Sequence, residues 1–156
     1  MIFLVGGSEA ALAKANPALA AMGKDIVPLG PTGSGSLMKL VNNFMAGVQA
    51  ASFAEALALV DANGLNREQA ISILTSGAPG SPLVNRIAAT SASGDFTPNF
   101  ILRLMAKDLA YAATEGAHNG VPLRTASAAL EVFRQAVEKG YGEEDFSAII
   151  KSFGRK

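Results

Sequence analysis

The chain has 156 residues, 49% of them hydrophobic, and its 13 basic and 13 acidic residues give a formal net charge of zero. Neither sign of charge forms a run of five, which argues against nucleic acid and anionic lipid as partners. There is no cysteine, so disulfides, thiolate nucleophiles and cysteine-based metal sites are excluded. The apolar opening MIFLV lacks a basic flank and is too short for a signal sequence or a membrane span. We therefore expect a soluble protein of the cytoplasm.

The first thirty residues have the pattern of a βαβ unit. Residues 2–5, IFLV, form a continuous apolar run that is typical of a strand buried on both faces. Ser8 is the predicted cap of a helix that ends near Met22. The run at 25–30, DIVPLG, predicts a second strand, and its proline favours a sheet edge. Two parallel strands are too few to stand alone, so residues 1–30 are interpreted as part of a larger α/β domain.

A long helix is predicted from residue 36 to residue 63, ended by Gly64. One flank of this helix carries bulky apolar side chains and another carries small ones, so the helix is apolar nearly all round. Such a helix is predicted to be central and buried, with a neighbour close to its small flank. The bulky flank consists of Leu37, Leu40, Val41, Phe44 and Val48.

After the long helix, capping residues and apolar periodicity predict helices only. The fold class is therefore mainly α, with an all-helical domain behind the βαβ unit. The predicted helices cover approximately residues 66–75, 82–90, 101–119, 122–139 and 144–153.

Glycines at positions 30, 33 and 35 precede the long helix. A dinucleotide fingerprint needs G-x-G-x-x-G or A between a strand and a helix. Met38 stands where the third small residue is required, so the fingerprint fails. The residues alone leave two interpretations open: a helix N-terminus that receives an anionic group, or a flexible joint between domains.

Lys39 and Asn43 are one helical turn apart and share a face of the predicted long helix. A lysine near a helix N-terminus opposes the helix dipole, and burial in a central helix would also disfavour its charge. Both effects favour a neutral amine that exchanges protons as a general acid or base. The alternative is a lysine whose charged end reaches solvent beside a surface amide.

Phe100, Leu104 and Asp108 repeat at four-residue steps along one predicted helix face. An aromatic ring and a carboxylate on one stripe could close a small-molecule pocket. The alternative is ordinary core with a salt bridge at its edge.

The remaining titratable residues favour structural roles. His118, the single histidine, stands near the end of a predicted helix, where its charge is favourable. With one histidine and no G-x-S-x-G or H-E-x-x-H motif, serine hydrolase and zinc hydrolase interpretations are poor, and no metal site is predicted. Residues 143–145, Glu-Glu-Asp, are typical of carboxylates that complement a helix N-terminus.

The spacing G-x-x-G-x-G-x-x-x-K-x-x-x-N, formed by Gly30, Gly33, Gly35, Lys39 and Asn43, resembles the substrate-domain motif of the β-hydroxyacid dehydrogenases. That family includes 3-hydroxyisobutyrate dehydrogenase, tartronate semialdehyde reductase and the glyoxylate/succinic semialdehyde reductases, and 6-phosphogluconate dehydrogenase is a more distant relative. Further likeness lies in IFLVGG, AMGKDIVPLG, FILRLMAKDL and GYGEEDFSAII.

The resemblance implies a Rossmann domain for NAD or NADP, then a long interdomain helix and an all-helical domain like the C-terminal domain of 6-phosphogluconate dehydrogenase. Residues 1–30 would be the last elements of the Rossmann domain, and residues 31–156 the substrate and dimerisation domain. The implied catalytic residues are Lys39 and Asn43. The implied substrate-binding residues are Gly33, Ser34, Gly35, Phe100 and Asp108, and Lys107 is implied to lie near the cofactor.

The implied activity is hydride transfer between a nicotinamide cofactor and a small β-hydroxyacid or semialdehyde, with Lys39 as general acid or base. The resemblance also implies a homodimer or a higher homo-oligomer formed through the helical domain, with no nucleic-acid or membrane partner. The resemblance implies that most of the Rossmann domain lies outside this sequence. The alternative expectation is therefore a catalytically inactive truncated fragment that acts only as a helical oligomerisation module.

Overall fold

The computed structural model describes residues 1–153. The chain divides after Asn42 into two compact units. The boundary falls within the long helix, and the two units are described in turn.

The first unit is the predicted βαβ arrangement. It contains β1 (Ile2–Val5), α1 (Glu9–Met22), β2 (Asp25–Pro28) and the beginning of α2 (Ser34–Ala62). The two strands are parallel, and the Ser8 side chain caps α1 by accepting a hydrogen bond from the amide of Ala11. The prediction of a strand buried on both faces is wrong for β1. Ile2 is exposed and the rest of the strand is half-buried, because two strands and one helix leave much of the sheet uncovered within this unit.

Gly35 lets the first turn of α2 touch the backbone of β1. A Cβ atom at Gly35 would lie 2.3 Å from the carbonyl oxygen of Leu4, a distance that real Cβ contacts do not show. Gly35 is buried, so the added methyl group would have to displace main-chain atoms. The glycine is required here by close approach of two backbones.

Replacing Gly35 with alanine is expected to lower the free energy of unfolding by about 1–3 kcal/mol, because the overpacked backbone has to move. Urea unfolding followed by circular dichroism measures this change. The matched control is Gly7→Ala, since a Cβ atom at Gly7 meets nothing within 4 Å. Equal effects of the two substitutions would contradict the close-approach argument.

The second unit is helical, as predicted. Asn66 and Ser81 cap their helices by accepting hydrogen bonds from the amides of Gln69 and Val84, and Gly64, with a φ of 66°, follows the end of α2. After the rest of α2, the unit contains α3 (Arg67–Ser76), α4 (Pro82–Ser93), α5 (Leu102–His118), α6 (Arg124–Ala136), a π-helical turn (Val137–Tyr141) and a C-terminal 3₁₀ helix (Phe146–Phe153).

The core of this unit joins the middle of α2 to α5, α6 and the 3₁₀ helix. Gly47 on α2 approaches α5 so closely that a Cβ atom there would lie 3.0 Å from the Leu109 side chain. The small flank of α2 therefore does permit the close neighbour that the sequence predicted. The largest fully buried side chains are Leu57, Ile87, Leu102, Met105, Leu109, Phe133, Phe146 and Ile149.

Two helix predictions differ from the structure. The beginning of α2 is not buried all round, since Leu37 and Val41 are 46% and 41% exposed. The last helix is a 3₁₀ helix that begins at Phe146, and its residues 146–150 are all buried. The predicted helix over residues 144–153 is therefore present, but it is shorter and more tightly wound than an α-helix. Its start is fixed by contacts with residues distant in sequence.

The length and composition of α2 also satisfy the requirements for a membrane-crossing helix. Core helices of soluble proteins commonly have the same length and composition. In the second unit α2 supplies Ala50, Ala54 and Leu57 to the helical core. That part of α2 is therefore a core helix.

Candidate functional site

Asn43 and Asp108 meet where α2 and α5 pack together. Asn43 is buried, and its Nδ2 atom donates a hydrogen bond of 2.6 Å to Oδ2 of Asp108, 65 residues away in sequence. Gly47, one turn further along α2, brings the helix against Leu109. Because a carboxylate only accepts hydrogen bonds, it binds the NH₂ group of the carboxamide and turns the carbonyl oxygen away. Asp108 therefore fixes the orientation of the Asn43 side chain.

The other oxygen of Asp108 binds Lys107. The Nζ atom of Lys107 lies 3.0 Å from Oδ1 of Asp108 and 5.4 Å from the centre of the Tyr111 ring. The Lys107 side chain is 48% exposed, whereas the Asp108 side chain is 14% exposed. An ion pair with one exposed partner contributes little to stability. The arrangement places a cation on the surface beside a largely buried carboxylate.

Phe100 lies outside α5, in the extended segment that leads into it. The prediction that Phe100, Leu104 and Asp108 form one helical stripe is therefore wrong, because α5 begins only at Leu102. The Phe100 amide donates to Oδ2 of Asp145 at 3.2 Å, and its carbonyl oxygen accepts from the Phe146 amide at 2.8 Å. Tertiary contacts, not helix geometry, hold this half-buried ring.

Asp145 binds the main chain of Phe100, a contact that its predicted place at a helix N-terminus did not reveal. Asp145 is only 3% exposed. Its Oδ1 atom accepts hydrogen bonds from the amide and hydroxyl of Ser147, and its Oδ2 atom accepts from the amides of Asn99 and Phe100. The D-x-S spacing at 145–147 was the available sequence signal, because it is typical of a carboxylate that begins a helical turn.

The environment of Asp145 favours its ionised form. Burial alone raises the pKa of the Asp145 carboxyl group, but hydrogen bonds from Ser147, with further bonds from the Phe100 and Asn99 amides, lower it more strongly. The pKa of Asp145 therefore lies below its ordinary value. The prediction for residues 143–145 is confirmed for Asp145, whereas Glu143 pairs with Arg103 and Glu144 pairs with Lys151.

Lys39 and the glycine turn lie in the first unit. Gly33 has a φ of 99°, and Ser34 begins α2. Lys39 follows Gly35 by one turn and lies with it along an open groove of about 720 Å³ beside β1. Of the two interpretations of Lys39, this chain shows the lysine that reaches solvent, because the side chain is exposed.

A metal site is not formed by the residues that the structure describes. Within residues 1–153, no three histidine, aspartate or glutamate side chains come together in a group that could hold an ion. His118 is the last residue of α5 and is exposed, which is the structural position that the sequence predicted.

Comparison with known proteins gives consistent matches. The family described as the NAD-binding domain of NADP-dependent 3-hydroxyisobutyrate dehydrogenase matches residues 33–153. The 2-(hydroxymethyl)glutarate dehydrogenase of Eubacterium barkeri is 38% identical, over 97% of this chain and 50% of its own length. The NAD-dependent L-serine dehydrogenase of Pseudomonas aeruginosa is 36% identical, over 98% of this chain and 54% of its own length.

Solved structures agree with the sequence relatives. A 3-hydroxyisobutyrate dehydrogenase from Salmonella typhimurium matches with a TM-score of 0.85 and 34% identity, over 95% of this chain and 52% of that one. The Mycobacterium tuberculosis 3-hydroxyisobutyrate dehydrogenase with L-serine matches with a TM-score of 0.88 and 29% identity, over 99% and 55%. The chain spans about half the length of the curated relatives that it matches.

Proposed function

Because this chain belongs to the 3-hydroxyisobutyrate dehydrogenase family, we propose that it is the C-terminal portion of an NAD(P)-dependent oxidoreductase. The proposed substrate is a small β-hydroxyacid or the corresponding semialdehyde. The observation that carries this proposal is the Asn43–Asp108 hydrogen bond. It fixes a buried carboxamide one helical turn after Lys39, within the part of the chain that the family matches.

In the proposed chemistry, Lys39 exchanges a proton with the substrate oxygen. A nicotinamide cofactor, when bound, would supply a hydride to the substrate carbonyl carbon or take one from the alcohol carbon. In reduction the Lys39 ammonium group gives a proton to the carbonyl oxygen, which becomes the hydroxyl group. In oxidation the neutral amine takes that proton back. Asn43, held by Asp108, orients the substrate oxygen, and the turn from Gly33 to Gly35 lets main chain approach the substrate.

The residues present fit only part of a nicotinamide dinucleotide. Lys107 offers an exposed cation beside Asp108, which suits an anionic or amide group of the cofactor. The pyrophosphate fingerprint is not formed by Gly33 and Gly35, since Met38 occupies its third position. We therefore propose that the rest of the nucleotide site belongs to the half of the relatives that this chain does not match. That half would also cover the groove beside Lys39 and remove water from its ammonium group.

The names of two relatives support the substrate class. L-serine and 2-(hydroxymethyl)glutarate each carry a hydroxymethyl group on the carbon next to a carboxylate, so both are β-hydroxyacids. Phe100 is proposed to line the pocket for the remainder of such a substrate. The Mycobacterium tuberculosis homologue with L-serine is consistent with this class.

A complemented enzyme tests the proposal. In it, the N-terminal half of the Pseudomonas aeruginosa L-serine dehydrogenase precedes residue 1 of this chain. We expect formation of reduced nicotinamide with NAD⁺ or NADP⁺ and L-serine or 2-(hydroxymethyl)glutarate, measured by absorbance. A folded complemented enzyme that binds NADH but turns over neither acid, nor succinic semialdehyde or glyoxylate, would contradict the proposal. That outcome would favour the alternative of a helical oligomerisation module.

A further inference from the structure

We propose that Asp145 is a positioning residue that sets the place of the Phe100 ring, and with it the fit of the substrate. This inference rests on the proposed function, since Phe100 is taken to face the substrate there. Asp145 is not proposed to touch substrate or cofactor. Its effect would pass through the main chain of Phe100.

The segment 96–102 is bound along its length by residues 142–146. The Asp145 amide donates to the carbonyl oxygen of Phe96 at 2.9 Å, the Phe146 amide donates to that of Phe100 at 2.8 Å, and the Leu102 amide donates to that of Glu144 at 2.9 Å. Ile101 and Asp145 form an antiparallel bridge. The main chain of Phe100 is therefore fixed by a short piece of chain that begins the C-terminal 3₁₀ helix.

The two carboxylate oxygens of Asp145 bind different parts of the chain. Oδ2 accepts from the amides of Asn99 and Phe100 at 3.0 and 3.2 Å. Oδ1 accepts from the amide and hydroxyl of Ser147 at 3.1 and 2.6 Å. One oxygen therefore positions the segment before α5, while the other starts the 3₁₀ helix. The two tasks are separable, because Ser147 touches only Oδ1.

The ring of Phe100 packs against the buried ring of Phe146. Its centre lies 6.2 Å from the centre of the Phe146 ring, with an edge-to-face angle of 71°. Phe146 is buried, and the guanidinium carbon of Arg86 lies 5.1 Å from the centre of its ring. With Phe146 held in this way, a shift of the Phe100 main chain would displace its ring relative to a firm neighbour. Both main-chain polar groups and the ring of Phe100 thus contact residues 145 and 146.

Amide hydrogen exchange in the 156-residue chain tests the positioning directly. In Asp145→Ala we expect exchange of the Phe100 amide to accelerate by about tenfold or more, because its acceptor is removed. Ser147→Ala is the matched control: it removes a bond to Oδ1 and should leave the Phe100 amide protected. If Asp145→Ala does not fold, Asp145→Leu replaces it, since that variant keeps the branched shape of the side chain and removes both oxygens. Equal protection of Phe100 in the Asp145 variant and in the unaltered chain would overturn the proposal.

Kinetics of the complemented enzyme test the consequence for substrate fit, with L-serine as the probe. Asp145→Ala should raise KM by about tenfold while kcat changes by less than about threefold, because ground-state fit is lost and Lys39 is untouched. In a Phe100→Ala background the same substitution should change KM by less than about twofold, since the group through which it acts is gone. Ile149→Ala controls for general loss of stability, because Ile149 is fully buried in the same 3₁₀ helix.

The outcomes separate the two proposals. A KM increase that persists in the Phe100→Ala background, or an equal increase in Ile149→Ala, would overturn the positioning role. No turnover in any version of the complemented enzyme would remove the proposed function, and with it the link to substrate. Faster exchange of the Phe100 amide in Asp145→Ala alone would still support the part of the inference that concerns Phe100.

Discussion

Replacing Lys39 with alanine is expected to lower kcat of the complemented enzyme by about 10²–10⁴-fold, because the group that exchanges a proton with the substrate oxygen is removed. Folding should be nearly unchanged, since the Lys39 side chain is exposed in this chain. Steady-state kinetics with L-serine and circular dichroism measure the two quantities. The expected pattern is a loss of kcat with little change in helical content.

Two further variants make the Lys39 test specific. Lys39→Arg keeps the positive charge but cannot give up its proton near neutral pH, so it should be nearly as inactive as the alanine variant. Lys14→Ala removes another exposed lysine, on α1, and should leave kcat unchanged. Full activity of the Lys39→Arg enzyme would mean that only charge matters at this position. Unchanged kcat in the alanine variant would remove the mechanism altogether.

The exposure of Lys39 shows where sequence reasoning about burial stops. The apolar flanks of α2 predict that it is covered nearly all round, but the pattern does not say which chain segment supplies the cover. Leu57 is buried by the helical core, whereas Leu37 and Val41, on the same helix, are exposed. A hydrophobic pattern therefore reports that a face needs a partner, and the structure is needed to identify the partner.

Helix ends were predictable because their determinants are local. Ser8, Asn66 and Ser81 each accept a hydrogen bond from an amide three residues later, so a short window of sequence contains both groups. Caps and apolar periodicity thus predicted the mainly α fold class, and the family resemblance, carried by separated motifs, specified the kind of helical domain. By contrast, the Asn43–Asp108 contact joins residues 65 positions apart, and no periodicity in the sequence specifies it.

Phe100 illustrates the same limit within the candidate site. Its four-residue spacing from Leu104 and Asp108 fits a helix, yet the Asp145 carboxylate, 45 residues away, binds its amide in an extended segment. A buried carboxylate that accepts hydrogen bonds from main-chain amides of two separate segments overrides a local helical pattern. The helical prediction for Phe100 fails because Asp145 holds this segment in an extended conformation.

Replacing Asp145 with alanine is expected to lower the free energy of unfolding by about 3–4 kcal/mol, because hydrogen bonds to a buried charged group are lost and their donors are left without acceptors. The affected donors are the amides of Asn99, Phe100 and Ser147 and the hydroxyl of Ser147. Urea unfolding near neutral pH measures the loss. The control is Asp95→Asn, because Asp95 is exposed and its side chain accepts a hydrogen bond from the nearby amide of Thr97, and a much smaller effect is expected.

The stability that Asp145 supplies should also disappear in acid. Its pKa is lowered in the folded chain from an ordinary value of 3.8. Above that value the carboxyl group is ionised in both the folded and unfolded states, and the stabilisation is fully present. As the pH falls through 3.8 towards the lower folded value, the unfolded chain binds the proton first, so folding is progressively penalised.

The difference in unfolding free energy between the unaltered chain and Asp145→Ala should therefore be constant from neutral pH down to about pH 5 and shrink below it. Measuring both proteins at each pH cancels contributions from other carboxyl groups, including Asp95, whose pKa is lowered by hydrogen bonds from Thr97. A difference that stays constant through the acid range would mean that the lost stability comes from packing. In that case the ionised carboxylate would not be the group that organises residues 99–100 and the start of the 3₁₀ helix.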